Sequence, residues 1–440
     1  MNLAVATLIS RRAFKLFGPA LLFAFSMQYT LASENWHNAS QTGGSLTVYS
    51  FGESPYNHAA PFLQLEDRRK FSDGATAFRK KHALRSVSGV EDRLEITYDF
   101  NARSCESCHV SDGRGISFAE EFEQTGLSAK SSSKHSDVPV FRKVFHGSPS
   151  QRLESVVWDK VNEIKLADGT IVELVAPSAI VDGVKGTVDL RNAPGVYGLG
   201  LLEAIPVEDI INLAKLAGFA KFGVKGIVAP ACDHQPNGNC LKVGRFGWKA
   251  TVADLDAQTR SALANELGIH EPGQDSSRDF KLDYDTLVAD LTDYVRVLAV
   301  PARQLDGETG SLRGAQLFEE TGCTMCHRPS WRTGQGKYVN EHLRNQLIYP
   351  FTDLLLHDMG EGLADRSGEA LAQYWRTPAL WGIGMQNIVS NKVGYLHDGR
   401  ARNFTEAILW HGGEAAYSTS RFTSLSNKDR SQLIEFLNSL

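Results

Sequence analysis

Four of the six cysteines in this 440-residue chain fall into two identical frames. They are Cys105-Glu106-Ser107-Cys108-His109 and Cys323-Thr324-Met325-Cys326-His327. Thiols at this spacing lie one turn apart and can add to the two vinyl groups of one haem. The adjoining imidazole then reaches the iron. At this chain's Cys and His frequencies, one such frame arises by chance in about 0.002 of sequences, so two of them are not coincidence. A thioredoxin-like dithiol has no use for a trailing His in both copies. A zinc site needs four ligands, and neither frame has a second pair at suitable spacing. The pattern predicts two covalently bound haems of the c type. Cys105, Cys108, Cys323 and Cys326 would be the attachment points, and His109 and His327 the proximal iron ligands.

Haem of this kind is attached outside the cytoplasm, and the N-terminus agrees. Residues 1–32 read as a secretory signal: Arg11, Arg12 and Lys15 form a basic region, residues 16–31 are mostly apolar and uncharged, and Thr30-Leu31-Ala32 suits cleavage. The arginine pair also resembles a twin-arginine signal, but haem is attached to an unfolded exported chain, which favours the general secretory route. Gly, Pro, Ser and Gln interrupt the apolar run, and no other segment approaches a span, so no stable membrane span is expected. A periplasmic location follows. Residues 1–32 hold three basic and no acidic residues, so their removal takes the net charge from −5 to −8. That balance speaks against nucleic acid and suits docking of a small basic electron carrier. In an oxidising compartment Cys232 and Cys240, which flank a turn-rich loop, are expected to form a local disulfide, with two free buried thiols as the alternative.

The elements that must position the two motifs are mostly helical. Leu287, Leu291, Tyr294, Val295 and Leu298 recur at helical spacing over residues 283–298, ended by Pro301. A second helix is expected over 312–320, directly before Cys323, and a C-terminal one presents Leu433, Phe436, Leu437 and Leu440 as an apolar stripe. Residues 163–174 alternate around Asp168-Gly169 and predict a β-hairpin. Residues 130–135 form a Ser-rich loop. Pro194-Gly195-Val196-Tyr197-Gly198-Leu199-Gly200 matches Pro378-Ala379-Leu380-Trp381-Gly382-Ile383-Gly384, each downstream of a haem motif and preceded by an Arg, which suggests duplication. The expected fold is mainly α: two cytochrome c-like haem domains, 33–304 and 305–440, with β-hairpin insertions in the first.

Several further segments carry a family resemblance. They are Phe100-Asn101-Ala102-Arg103-Ser104, Asp112-Gly113-Arg114-Gly115, residues 198–206, Gly244-Arg245-Phe246-Gly247-Trp248-Lys249-Ala250, residues 353–364, residues 376–384 and residues 395–414. Together they resemble the di-haem oxidoreductase family, also labelled thiol oxidoreductases, and more distantly the bacterial di-haem cytochrome c peroxidases, the methylamine dehydrogenase maturation enzyme and rubber-cleaving di-haem oxygenases. The resemblance implies an oxidoreductase that passes electrons from the C-terminal haem to an N-terminal haem able to bind hydrogen peroxide or another small oxidant. A small soluble carrier such as a cytochrome c or a copper protein would supply them. A pure electron carrier and an oxygenase acting on an organic substrate are the alternatives.

The same resemblance suggests where the remaining ligands lie. Peroxidases of this type usually place Met on the electron-transfer haem; the matching stretch here offers His411. Asn403 and Glu406 make a capping box, Gly412 a stop, and Phe404, Ile408 and His411 share an apolar face between them. Met359, Met385, His357 and His397 are the other candidates. Arg400, in His397-Asp398-Gly399-Arg400, would lie near a haem propionate. At the N-terminal haem, Trp248, Gln258 and Glu266 follow the peroxidase spacing of an inter-haem Trp, a distal Gln and a catalytic carboxylate, although Phe246-Gly247-Trp248-Lys249 departs from the peroxidases' Trp-Asp-Gly-Arg turn. Glu266 would shuttle the peroxide proton, Gln258 orient the oxidant, and Trp248 relay electrons. Glu203, a charge inside an apolar run, is an alternative acid.

Overall fold

The computed structural model describes residues 36–82, 104–115, 142–144, 153–181, 184–185, 189–231, 242–271, 283–305, 310–336, 340–365, 371–390 and 393–440. The signal segment, the Ser-rich loop and Cys232 and Cys240 lie outside these residues. Among them, no helix is long and apolar enough to cross a membrane.

Helices bracket each cysteine motif in the same way. In the first half, α1 (Leu65–Arg79) precedes Cys105, α2 (Leu255–Leu267) lies downstream, and α3 (Tyr284–Arg296) closes the segment. In the second, α4 (Gly310–Glu320) runs into Cys323, and α5 (Phe404–Leu409) and α6 (Asn427–Ser439) follow. The start of α3 is set by Asp283, whose carboxylate accepts from Thr286 N at 3.2 Å. Satisfying an orphan amide in this way stabilises a helix end by about 1 kcal/mol. Tyr284, Leu287, Val288, Leu291 and Tyr294 then form the buried face. Ser426 caps α6 by accepting from Asp429 N, and Leu433, Phe436 and Leu437 are buried.

Within each half, the opening and closing helices cross at a glycine. A Cβ on Gly74 of α1 would stand 2.4 Å from Asp290 O and 2.5 Å from Tyr294 Cβ in α3. A Cβ on Gly314 of α4 would stand 2.1 Å from Gln432 O and 2.6 Å from Phe436 Cβ in α6. Backbone blocks the space in both cases, so only glycine lets the helices pack this closely. Gly314→Val should therefore destabilise the holoprotein by at least about 1–3 kcal/mol. Denaturant unfolding checks this; an unchanged midpoint would contradict the crossing.

The two repeats interlock. Gly198 and Gly382 both take left-handed conformations, at φ 72° and 69°. The Trp381 ring occupies the space a Cβ on Gly198 would need, at 2.5 Å, and the Tyr197 ring does the same to Gly382 at 2.9 Å. Tyr197 Oη also donates to Trp381 O at 3.1 Å. The aromatic residue of each repeat thus lies over the glycine of the other.

Among the described residues, β-structure is confined to sheets of two or three strands. β1 (Thr47–Val48) runs parallel to β4 (Val300–Pro301). The expected hairpin is longer than its alternation suggested: β2 (Leu153–Lys165) pairs antiparallel with β3 (Ile171–Val181), turning at Gly169. β5 (Leu356–Asp358) pairs with β6 (Tyr374–Arg376). The hairpin tip reaches the C-terminal helices. Asp168 is ion-paired with Arg430, Ala167 N donates to Thr423 O at 3.1 Å, and Leu166 and Leu174 join the C-terminal apolar core. Trp36 also packs there, edge-on to Phe351 and Phe436. Both lie in segment 33–304 yet pack against residues after 305.

Candidate haem sites

Both cysteine motifs adopt one local conformation. Single 3-10 turns cover Cys105–Ser107 and Cys323–Met325, and His109 N and His327 N each donate to the first cysteine's carbonyl at 2.9 Å. In a helical turn, residues i, i+3 and i+4 share a face, which gathers the two thiols and the imidazole. Each imidazole has one nitrogen committed to backbone. His109 Nδ1 donates to Pro194 O at 2.7 Å, and His327 Nδ1 donates to Phe351 O at 3.0 Å. A carbonyl can only accept, so the proton sits on Nδ1 and the Nε2 lone pair is left for a metal. Burial lowers the pKa of each ring to about 4, which keeps both neutral at ordinary pH.

His411 shares a cavity wall with the second motif. It follows α5, whose first turn is capped by Asn403 Oδ1 accepting from Glu406 N at 2.9 Å. The Glu406 carboxylate reaches back to Arg402 N at 2.9 Å, one residue earlier than a standard capping box. His411 Nδ1 donates to Ala407 O at 2.6 Å, again freeing Nε2. The His327 and His411 ring centres stand 6.5 Å apart. Two imidazoles ligating one ion from opposite sides, at about 2.0–2.1 Å per bond, would place their ring centres roughly 6.3 Å apart. Both rings line a cavity, open to solvent at its mouth, together with Cys323, Cys326, Phe318, Phe404, Leu433 and Leu437. Two imidazoles at ligation distance, two thiols on one side and an apolar wall are the donor set and surface a c-type haem requires.

The other candidate ligands are placed differently. His357 has both ring nitrogens occupied, by Asp353 Oδ2 and Glu414 Oε2, each at 2.8 Å. Burial opposes charge on this ring, but Asp353, Cys326 and hydrogen bonding outweigh it and raise its pKa well above the usual range. Met385 is buried in the N-terminal core and absent from the cavity wall. Met359 and His397 do line the cavity, with His397 stacked on Trp375 at 3.6 Å. Arg400 is not among the lining residues. Its Nε and Nη2 donate to Asp398 and its Nη1 to Gly362 O, so its hydrogen-bonding capacity is largely spent within two residues of itself and on one carbonyl.

Towards the first motif, Asp254 caps α2 by accepting from Ala257 N at 2.9 Å, and Gly268 ends the helix in a left-handed conformation. Gln258 lies on this helix, its Oε1 3.9 Å from where a Cβ on Gly247 would stand. Its Oε1 is buried without a hydrogen-bond partner. Glu266, half-buried near the far end of α2, stands close to Cys108: burial first and then the Glu266 charge push that thiol up to about 12. Trp248 lines the C-terminal cavity, and its indole N–H donates to Asn192 O at 2.8 Å. Two residues on, Pro194 O accepts from His109. Asn192, Ala193 and Pro194 therefore link Trp248, on the wall of one site, to the imidazole of the other. Gln258 approaches the Gly247 turn, Glu266 lies near Cys108, and His411 lines the cavity of the second motif.

Glu203 has a structural explanation. Its Oε1 accepts from Leu255 N at 2.8 Å, at the start of α2, and its Oε2 pairs with Arg296 at 2.9 Å. Sequence reasoning missed two other residues on the cavity wall, Arg114 and Arg376. Both sit in motifs already singled out, but nothing in the sequence said that their side chains turn inward. It also missed the partners of His357, 4 and 57 positions away.

Residues 181–277 and 276–440 match the protein family described as "Di-haem oxidoreductase, putative peroxidase". No curated protein matches the chain. Among solved structures, the hydrazine synthase of Kuenenia stuttgartiensis under xenon pressure is 16% identical, with a TM-score of 0.38 over 87% of this chain and 90% of that one. A MauG-like protein associated with microbial copper homeostasis is 15% identical, with a TM-score of 0.28 over 44% of this chain and 68% of that one.

Proposed function

Because the chain belongs to the di-haem oxidoreductase family, its matched segments covering more than half of its length, we propose that it is an exported c-type cytochrome that reduces peroxide with electrons from a small soluble carrier. The observation that supports this most is the asymmetry between the two motifs. His327 faces a second imidazole at 6.5 Å. Among the described residues the ring contact of His109 is with Phe78, at 6.1 Å, and not with a second imidazole.

Cys105 and Cys108 would attach one haem and Cys323 and Cys326 the other. Bound there, the haems supply one-electron storage at the C-terminal site and peroxide reduction at the N-terminal one. The chain's own residues do the rest. Phe351 O and Ala407 O orient His327 and His411 as neutral ligands. The unpartnered Gln258 Oε1 is free to accept a hydrogen bond from a peroxide. Glu266 takes the proton from the near peroxide oxygen and returns it to the leaving one, which a half-buried carboxylate can do in both directions. Trp248, through its bond to Asn192 O, joins the two sites.

The test is to mix half-reduced protein with hydrogen peroxide and a reduced donor in stopped flow. Donor oxidation that depends on peroxide is expected. No reaction in either the oxidised or the half-reduced form would overturn the proposal in favour of a pure electron carrier.

A further inference from the structure

Among the described residues, the cavity beside His327 and His411 carries two buried cations with no carboxylate partner. Arg114 and Arg376 both line it, and both are buried, at 8% and 7% exposure. Both stand against the Gly247–Trp248 turn. The Arg114 guanidinium lies 5.4 Å over the Trp248 ring, while Arg376 Nε donates to Gly247 O at 2.9 Å and Arg376 N to Trp248 O at 2.9 Å. Neither has a carboxylate partner among the described residues. Arg114 gives Nη2 to Leu396 O and Gly394 O, and its Nε is buried with no acceptor. Arg376 gives Nη1 to Thr377 O, and no acceptor is described for its Nη2.

The buried carboxylates nearby are committed elsewhere. Asp353 accepts from His357 Nε2 and Leu355 N. Glu414 accepts from His357 Nδ1 and from the amides of Lys225 and Gly226. Asp398 is held by Arg400. Burial draws both guanidinium groups below the ordinary arginine range, Arg376 to about 10, with Asp353 opposing at Arg376 and three tyrosines opposing at Arg114. Two unpaired cations in an apolar cavity are costly unless an anion joins them. A c-type haem held by its vinyl edge at Cys323 and Cys326 keeps two carboxylates, its propionates, on another edge.

We propose that Arg114 and Arg376 bind the propionate carboxylates of the C-terminal haem, and that Arg114 thereby ties the first haem's loop to the second haem. Arg114 lies five residues beyond His109, so one short segment carries both the ligand of one haem and a propionate clamp of the other. The assignment, made in place of Arg400, rests on the reading that His327 and His411 hold a haem. Both arginines are positioning residues. A guanidinium against a propionate offsets its negative charge and so favours the ferrous state.

Redox titration of the low-spin haem in the full-length holoprotein tests this. Arg114→Gln and Arg376→Gln should each lower that haem's midpoint potential. Arg114→Lys and Arg376→Lys, which keep the charge, should restore most of the shift. A potential unchanged in both Gln variants that still carry two haems overturns the propionate assignment alone. A wild-type chain with fewer than two haems by intact mass overturns the reading beneath it. If the Gln variants do not mature, redox-difference infrared spectra of wild-type protein labelled with ¹³C,¹⁵N-arginine decide. Guanidinium bands should shift as the low-spin haem is reduced, and their absence contradicts the proposal.

Discussion

Glu266→Gln is expected to keep both haems and the fold while lowering peroxide turnover by about 10²–10⁴-fold, the usual worth of a positioned acid–base group. The substitution keeps size and polarity and removes only the ionisable group. Glu266 is half-buried on α2 and influences Cys108 electrostatically, which places it at the first motif. Haem content by intact mass and far-ultraviolet circular dichroism check the fold, and steady-state oxidation of a reduced donor by peroxide reads the effect. Turnover within a factor of two of wild type would return Glu266 to the role of a solvated helix carboxylate. Trp248→Phe should behave differently, because it removes the indole donor to Asn192 O while keeping an aromatic ring at the position. Peroxide binding should survive, with electron delivery between the sites slowed.

The second large effect concerns His411. Replacing it with Ala removes the only imidazole that stands opposite His327 among the described residues. One low-spin haem should then become high-spin or water-ligated. His411→Met should instead preserve six-coordination and raise that haem's potential, because a thioether stabilises the ferrous state relative to imidazole. Optical and magnetic circular dichroism spectra with a redox titration follow both changes. An unchanged spectrum in both variants would move the ligand to Met359, which also lines the cavity.

The features legible in the sequence are those set by local chemistry. The cysteine frames, the Asp283 and Asn403 caps, the helix before Cys323 and the turn at Gly169 depend on residues within a few positions of one another. His411 could be singled out because helical periodicity places it on the face of Phe404 and Ile408. The duplicated Pro-x-aliphatic-aromatic-Gly pattern was visible, but its use was not. That Tyr197 covers Gly382 while Trp381 covers Gly198 is a tertiary fact between segments 184 residues apart. Charges were the least legible. A Glu in an apolar run suggested catalysis at Glu203, until Arg296 and the amide of Leu255 were seen to satisfy it. Arg400 suggested a propionate, yet the adjacent Asp398 already holds it. Arg114 and Arg376 carry their signal only in what they lack among the described residues, a carboxylate partner, and that cannot be seen before the chain is folded. The hairpin likewise followed from its alternation, whereas its docking through Asp168 and Arg430 required the C-terminal helices to be in place.

Electron paramagnetic resonance of the oxidised protein as isolated tests the central claim most directly. If His411 is the second ligand of the C-terminal haem and the N-terminal haem keeps an open position, as proposed, the spectrum should contain one bis-imidazole low-spin haem and one high-spin haem. A Cys323→Ala, Cys326→Ala variant should retain one haem and lose the low-spin component, assigning it to His327 and His411. Two low-spin six-coordinate haems that do not change when peroxide is added would contradict the account, because no position would then be open for an oxidant.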